Sequence, residues 1–154
     1  MQLIRVARSG SGRLGELAVR FIVFSDKMID GVAAIDHQHR GLVDIINALY
    51  DITLNKNART TLVQVFEDLD RHIDEHFDCE EQLYAQAGYP LAKDHIASHE
   101  AFRRRIADYR ASARNANATL VATELLYLLK QWLTGHMQNE DRDACRHLNA
   151  SGIR

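Results

Sequence analysis

The sequence predicts an all-α protein, an up-down-up-down four-helix bundle with an extended N-terminal segment. Three observations predict it. Apolar residues recur in alternating steps of three and four along four successive segments, the breaks between those segments are short, and the 154 residues include one proline, Pro90, and eight glycines. A chain of this length can bury one core without covalent staples, so a single folded domain is expected.

Residues 1–20 carry Arg5, Arg8, Arg13 and Arg20 against Glu16, around a run of Ser9, Gly10, Ser11 and Gly12 that breaks any regular pattern. They are expected to be a flexible extension, leaving residues 21–150 as the domain. From Phe21 the chain reads as apolar and extended. Asp36 is the expected N-cap of a first helix that ends near Leu54 and carries the stripe Ile35, His39, Leu42, Ile46, Leu49. Asn57 is the expected cap of the second helix, with the stripe Leu62, Phe66, Leu69, Ile73, His76, Glu80, Leu83. Gly88 suits the position just past its end and Pro90 the first turn of a third helix, so the link is tight and the two helices run antiparallel. The third stripe is His95, His99, Phe102, Ile106, Tyr109. After a polar break at residues 115–117 the fourth reads Leu125, Leu129, Trp132, His136.

Composition narrows the function. A formal charge of −2 and a pI near 6.4 leave no basic excess to neutralise phosphates, so no nucleic-acid partner is expected. Cys79 and Cys145 are too few for a disulfide framework and point to a reducing compartment, with a single bridge between them left open. There is no apolar run of about 18 residues and no apolar h-region near the start. A cytoplasmic protein without an integral membrane segment, monomeric, is the expectation.

Each predicted helix places at least one histidine where its stripe assigns the core. Burying five imidazoles and Glu80 unpaired would cost on the order of several kcal/mol each, and bound metal would offset it. His76 with Glu80, and His95 with His99, stand four apart and project from one helix face. Imidazole and carboxylate without thiolate suit iron, manganese or zinc. Five histidines and two carboxylates exceed a four-ligand structural zinc site and fit two metals bridged by carboxylates. The zinc-protease motif is absent, because Ile96 follows His95. The second carboxylate is ambiguous. Regular pitch favours Glu140, four after His136, but the apolar seam continues from Asp141 through Cys145 and Leu148. Seam continuity favours Asp141, with a locally widened turn.

Taken together, Ile35-Asp36-His37-Gln38-His39, His76-Phe77-Asp78-Cys79-Glu80-Glu81, Gly88-Tyr89-Pro90, His95-Ile96-Ala97-Ser98-His99 and Trp132-Leu133-Thr134-Gly135-His136 with Asp141 resemble the bacteriohemerythrins of the hemerythrin family. The resemblance spans roughly residues 24–150. It implies a four-helix bundle, the architecture of myohemerythrin. It further implies two iron ions (Fe2+/Fe3+) with a bridging oxo or hydroxo group. His95, His99 and His136 would hold one iron, His39 and His76 the other, with Glu80 and Asp141 bridging. O2 would be the ligand, bound reversibly as each Fe(II) gives one electron, for storage or for delivery to an oxygen-consuming enzyme. Two Fe(II), two carboxylates and a hydroxide sum to about +1, which a low-dielectric bundle tolerates. Phe24 stands where relatives often have tryptophan, and Tyr84 where methionine commonly follows the paired glutamates, a change that bears on pocket polarity and autoxidation.

Leu42, Ile73 and Trp132, one turn from the ligands, are core residues able to exclude water. His72 is expected to flank the site, His37 and His147 to lie at the surface, Cys79 to pack facing away, and Arg103, Arg104 and Arg105 to form a solvated face. Two other readings compete: an oxygen or redox sensor acting through a partner, and a di-iron oxidase or peroxidase. The latter sites use paired Glu-x-x-His motifs, and no glutamate stands three before any of the five histidines.

Overall fold

The computed structural model describes residues 4–5, 19–54, 58–114 and 116–154. Asn57, Asn115 and most of the predicted flexible extension lie outside the described residues. Strands β1 (Ile4–Arg5) and β2 (Val19–Arg20) pair antiparallel, and a 3-10 turn at Asp26–Met28 leads into the bundle. The helices are α1 (Ala33–Leu54), α2 (Ala58–Ala87), α3 (Ala92–Ala113) and a continuous fourth span made of α4 (Ala118–Trp132), a π-helical segment (Leu133–Asp141) and α5 (Arg142–Ala150). α1 packs on α2 and α4, and α3 packs on the same two, which closes a four-sided bundle. No helix among the described residues is long and apolar enough to cross a membrane. Both cysteines are free.

The core divides into a long apolar cluster, from Met28 through Leu42, Leu69, Phe102 and Leu129 to Met137, and a smaller one of Val32, Ile35, Tyr84, Tyr89, Ala144, Cys145 and Leu148. Along α1 the chain passes from the small cluster at Ile35, through His39, to the long one at Leu42. Along α2 it runs the other way, from Ile73 through His76 and Glu80 to Tyr84. α3 leads from His95 and His99 into the long cluster at Phe102, and the fourth span passes from that cluster, at Leu133 and Met137, to Cys145. The direction alternates from helix to helix, and the polar residues form one layer sealed by apolar side chains above and below.

The predicted stripes are buried, apart from Tyr109 and Trp132, which pack half-buried against the core, and one position is shifted. Leu83 is only half-buried, and Tyr84, four residues after Glu80, continues the seam at 1% exposure. The α2–α3 link follows from its residues. Gly88 adopts φ +64°, the Tyr89 N–H reaches back to the Tyr84 carbonyl at 3.0 Å, and the two tyrosine rings touch at 5.1 Å, as in a Schellman ending with its apolar contact. Pro90 lies in the following turn, closed by Ala92 N–H to Tyr89 O at 3.2 Å, so α3 starts two residues after it. α1 begins at Ala33, three residues ahead of the expected cap. Asp36 sits inside its first turn, where its carboxylate accepts from the backbone N–H groups of Asp30 (2.7 Å) and Gly31 (3.1 Å). The Asn117 side chain caps α4, accepting from Thr119 and Leu120 N–H groups. Asn47 of α1 pins the segment before the bundle, accepting from the N–H groups of Phe21 and Ile22 and donating to the Ile22 carbonyl.

Candidate metal centre

All seven side chains singled out in the sequence meet in the sealed layer, each at most 4% exposed. Their donor atoms form two overlapping groups, each within 4.8 Å: Glu80, His95, His99, His136 and Asp141 in one, and His39, His76, Glu80 and Asp141 in the other. Glu80 and Asp141 belong to both. Asp141 Oδ1 lies 3.0 Å from Nε2 of both His95 and His136, and its Oδ2 3.3 Å from Nε2 of His39. Glu80 Oε2 lies 3.2 Å from Nε2 of His99, 3.7 Å from His76 and 3.8 Å from His95.

The π segment brings Asp141 into this set. With hydrogen bonds five residues apart rather than four, the helix is widened so that Asp141 faces inward beneath His136, while Glu140 stays 48% exposed.

The carboxylate oxygens lie close to the imidazole rings without hydrogen-bond alignment, while His99 Nε2 and His136 Nε2 approach each other at 3.1 Å. Among the described residues, both oxygens of Glu80 and of Asp141 and both ring nitrogens of His39 are buried with no hydrogen-bond partner. Buried polar groups in folded proteins are almost always satisfied. A layer of convergent orphaned imidazoles and carboxylates therefore fits bound cations, and the two overlapping groups fit two of them.

The outer nitrogens of three rings have polar neighbours in Gln38 and Glu81, which the sequence did not single out, and in Glu140, which it offered only as an alternative ligand. His76 Nδ1 lies 3.1 Å from Gln38 Oε1 and His99 Nδ1 3.1 Å from Glu81 Oε1. His136 Nδ1 lies 2.9 Å from Glu140 Oε2, though poorly aligned for a hydrogen bond. Such contacts fix the ring with Nδ1 protonated and Nε2 free to ligate. A signal was present: Gln38, Glu81 and Glu140 each adjoin an inward-facing residue, which at helical pitch places them on the flank of the seam. Aromatic rings complete the walls. Phe77 stacks on His99 at 3.7 Å, and Trp132 on His136 at 3.9 Å.

Other expectations need correction. His147 is half-buried, with Nε2 3.1 Å from the Ala87 carbonyl and its ring against Tyr89. Arg103 leaves the solvated face formed by Arg104 and Arg105. It lies over the Phe77 ring at 4.9 Å and pairs with Asp74, Asp78, Glu81 and Glu100, linking α3 to α2. His37 is exposed, and His72 flanks the layer, stacked on His76 at 5.9 Å.

Burial, reinforced by neighbouring histidines, pushes His76 down to about 3, His99 to about 2 and His72 to about 4. Burial and the Asp141 carboxylate hold Glu80 well above the carboxylate range. Burial would raise Asp141 too, but the His136 imidazole and contacts with His39 and His95 hold it well below. A stability prediction follows for the metal-free chain. Between pH 4.5 and 6.5 the unfolded chain protonates three imidazoles that the folded chain keeps neutral, while Glu80 and, less strongly, Glu81 and Asp70 favour proton uptake in the folded chain. Through most of this window the unfolded state binds more protons, so stability should fall with falling pH, most steeply below about pH 6. Urea midpoints of metal-free protein at pH 6.5, 5.5 and 4.5 check this, and a flat series would contradict it.

Residues 30–147 match the Hemerythrin HHE cation binding domain. The chain is 36% identical over 129 residues to Bacteriohemerythrin of Pseudomonas paraeruginosa (strain DSM 24068 / PA7), covering 82% of each chain. It is 30% identical over 121 residues to Bacteriohemerythrin of Stenotrophomonas maltophilia (strain R551-3), covering 79% of this chain and 77% of that one. With a domain match over most of its length, and with relatives at this identity and coverage, the chain belongs to the hemerythrin family of cation-binding four-helix proteins.

Proposed function

We propose that this protein binds molecular oxygen reversibly at two irons held by His39, His76, Glu80, His95, His99, His136 and Asp141, for storage or for delivery to oxygen-requiring enzymes. The observation that carries the reading is the pair of overlapping donor groups sharing two orphaned, buried carboxylates. When bound, two irons with a bridging oxo or hydroxo group would supply the reversible electron exchange that O2 binding needs.

The chain's own residues would shape that chemistry. One group offers three imidazoles and two carboxylates, the other two imidazoles and the same two carboxylates. The His39–His76 side is one donor poorer, so a small ligand has room there. Imidazole-rich ligation with only two carboxylates favours binding over oxidase chemistry, whose bundle sites are built from Glu and Glu-x-x-His. Phe77 and Trp132 pack against the rings of the five-donor side with Phe102 stacked behind Trp132, and Tyr84 caps it with its hydroxyl 3.3 Å from His95 Nε2. These side chains exclude water and hold the imidazoles in place.

Iron-replete protein should carry about two irons per chain, with an absorption spectrum that is lost on deoxygenation and restored on re-oxygenation over repeated cycles. One zinc and no iron, or irreversible bleaching with turnover of a reductant, would overturn the reading. The second result would point to an oxidase instead.

A further inference from the structure

Asp30 precedes α1 and nothing in its sequence context marks it, yet its side chain is 1% exposed. It is held on every side. Arg142 Nε donates to its Oδ1 at 2.9 Å, its backbone N–H donates to Asp36 Oδ1 at 2.7 Å, and its carbonyl accepts from Asn149 Nδ2 at 2.9 Å. The next residue, Gly31, adopts φ +82°, and a Cβ there would press on the Asn149 side chain at 3.3 Å, so the turn that presents Asp30 is built around glycine. One atom remains unpartnered: Oδ2, buried, 3.7 Å from His39 Nδ1, which is itself buried and unpartnered. The opposite nitrogen of that ring, Nε2, is directed into the centre, 3.3 Å from Asp141 Oδ2.

Resting on the metal-binding reading above, we propose that Asp30 is the positioning residue for His39. Its clamped carboxylate accepts the Nδ1 proton, so that Nε2 is the atom offered to metal. The gap is longer than a hydrogen bond, and a movement of the imidazole by roughly half an ångström closes it. Both groups are otherwise unsatisfied, and a hydrogen bond to a carboxylate fixes the tautomer and strengthens the ring as a donor. Arg142 gives the device a second end. It offsets the buried charge of Asp30, and it directly follows Asp141, so one ion pair ties the turn before α1 to the end of the π segment. Gln38, Glu81 and Glu140 serve His76, His99 and His136 on this scheme, and Asp30 supplies the acceptor His39 would otherwise lack.

The test uses zinc, a diamagnetic probe, in the full chain. Wild type is loaded with zinc, the ring-nitrogen resonances of His39 are assigned by NMR, and affinity is measured by chelator competition for wild type and Asp30→Asn. The expected result is His39 with a protected Nδ1 proton and Nε2 on metal in wild type. Asp30→Asn, which keeps the side-chain shape, should weaken the weaker zinc site about 10- to 100-fold and speed exchange of that proton. Affinity within twofold of wild type with an unchanged Nδ1 signal would overturn the proposal. So would wild-type His39 protonated at Nε2 or bound through Nδ1, a measurement that stands even if the variant folds poorly. A wild type that takes up no metal would instead sink the metal-binding reading, and this inference with it.

Discussion

Asp141→Ala should strip the protein of most of its metal, whereas Glu140→Ala should leave both metals bound. Asp141 is fully buried and its oxygens belong to both donor groups, within 3.3 Å of His39, His95 and His136. Its loss removes one anion from each group and leaves a more positive buried centre. Changes one shell further out already cost about 10- to 100-fold in metal affinity, so loss of a shared donor should cost at least that. Glu140 is half-exposed and lies against the outer nitrogen of His136. By exposure alone its removal would be nearly silent. Its 2.9 Å approach to His136 raises the expectation to a measurable weakening, up to about tenfold. Iron content and the visible absorption of the two variants, purified side by side, decide it. Metal lost from Glu140→Ala and kept by Asp141→Ala would mean that the widened turn does not place the bridging carboxylate.

That contrast also marks where the sequence was legible. Stripe residues such as Ile46, Leu69 and Leu129 could be assigned to the core because burial follows helical period, and the same period aligned His39, His76, His95 and His99. Asp141 was legible through the apolar positions beyond it, Cys145 and Leu148, and through the family resemblance, but not through helical period, because a π segment changes the period locally. The start of α1 was misread for a different reason. An acidic side chain near a helix start can satisfy free N–H groups from the cap or from within the first turn, and Asp36 does the latter for Asp30 and Gly31. Tyr84 in place of Leu83 is one position of drift along a 30-residue helix, enough to turn a phenol inward. Arg103 and Asp30 were beyond reach, since their partners lie on other elements: Asp74 and Asp78 for Arg103, and Arg142, 112 residues away, for Asp30.

His39→Ala and His76→Ala should each abolish reversible oxygen binding while leaving one metal in place. Both histidines lie in the four-donor group, where loss of one leaves a single imidazole beside the two shared carboxylates. The five-donor group keeps all its members. One metal per chain is therefore expected instead of two, without the spectral change on deoxygenation. The fold should survive. Each substitution removes one buried polar ring, and a cost of about 1–3 kcal/mol is ordinary for such a change. His37 is the control, since it is exposed and lies two residues before His39 on the same helix. His37→Ala should match wild type in metal content, melting temperature and oxygen cycling. Equal loss of oxygen binding in all three variants would show that the buried face of α1 is not what selects the ligand. Loss of both metals from His76→Ala, with melting unchanged, would show instead that the two donor groups fill only together, so that Glu80 and Asp141 couple the sites too tightly for a one-metal state to persist.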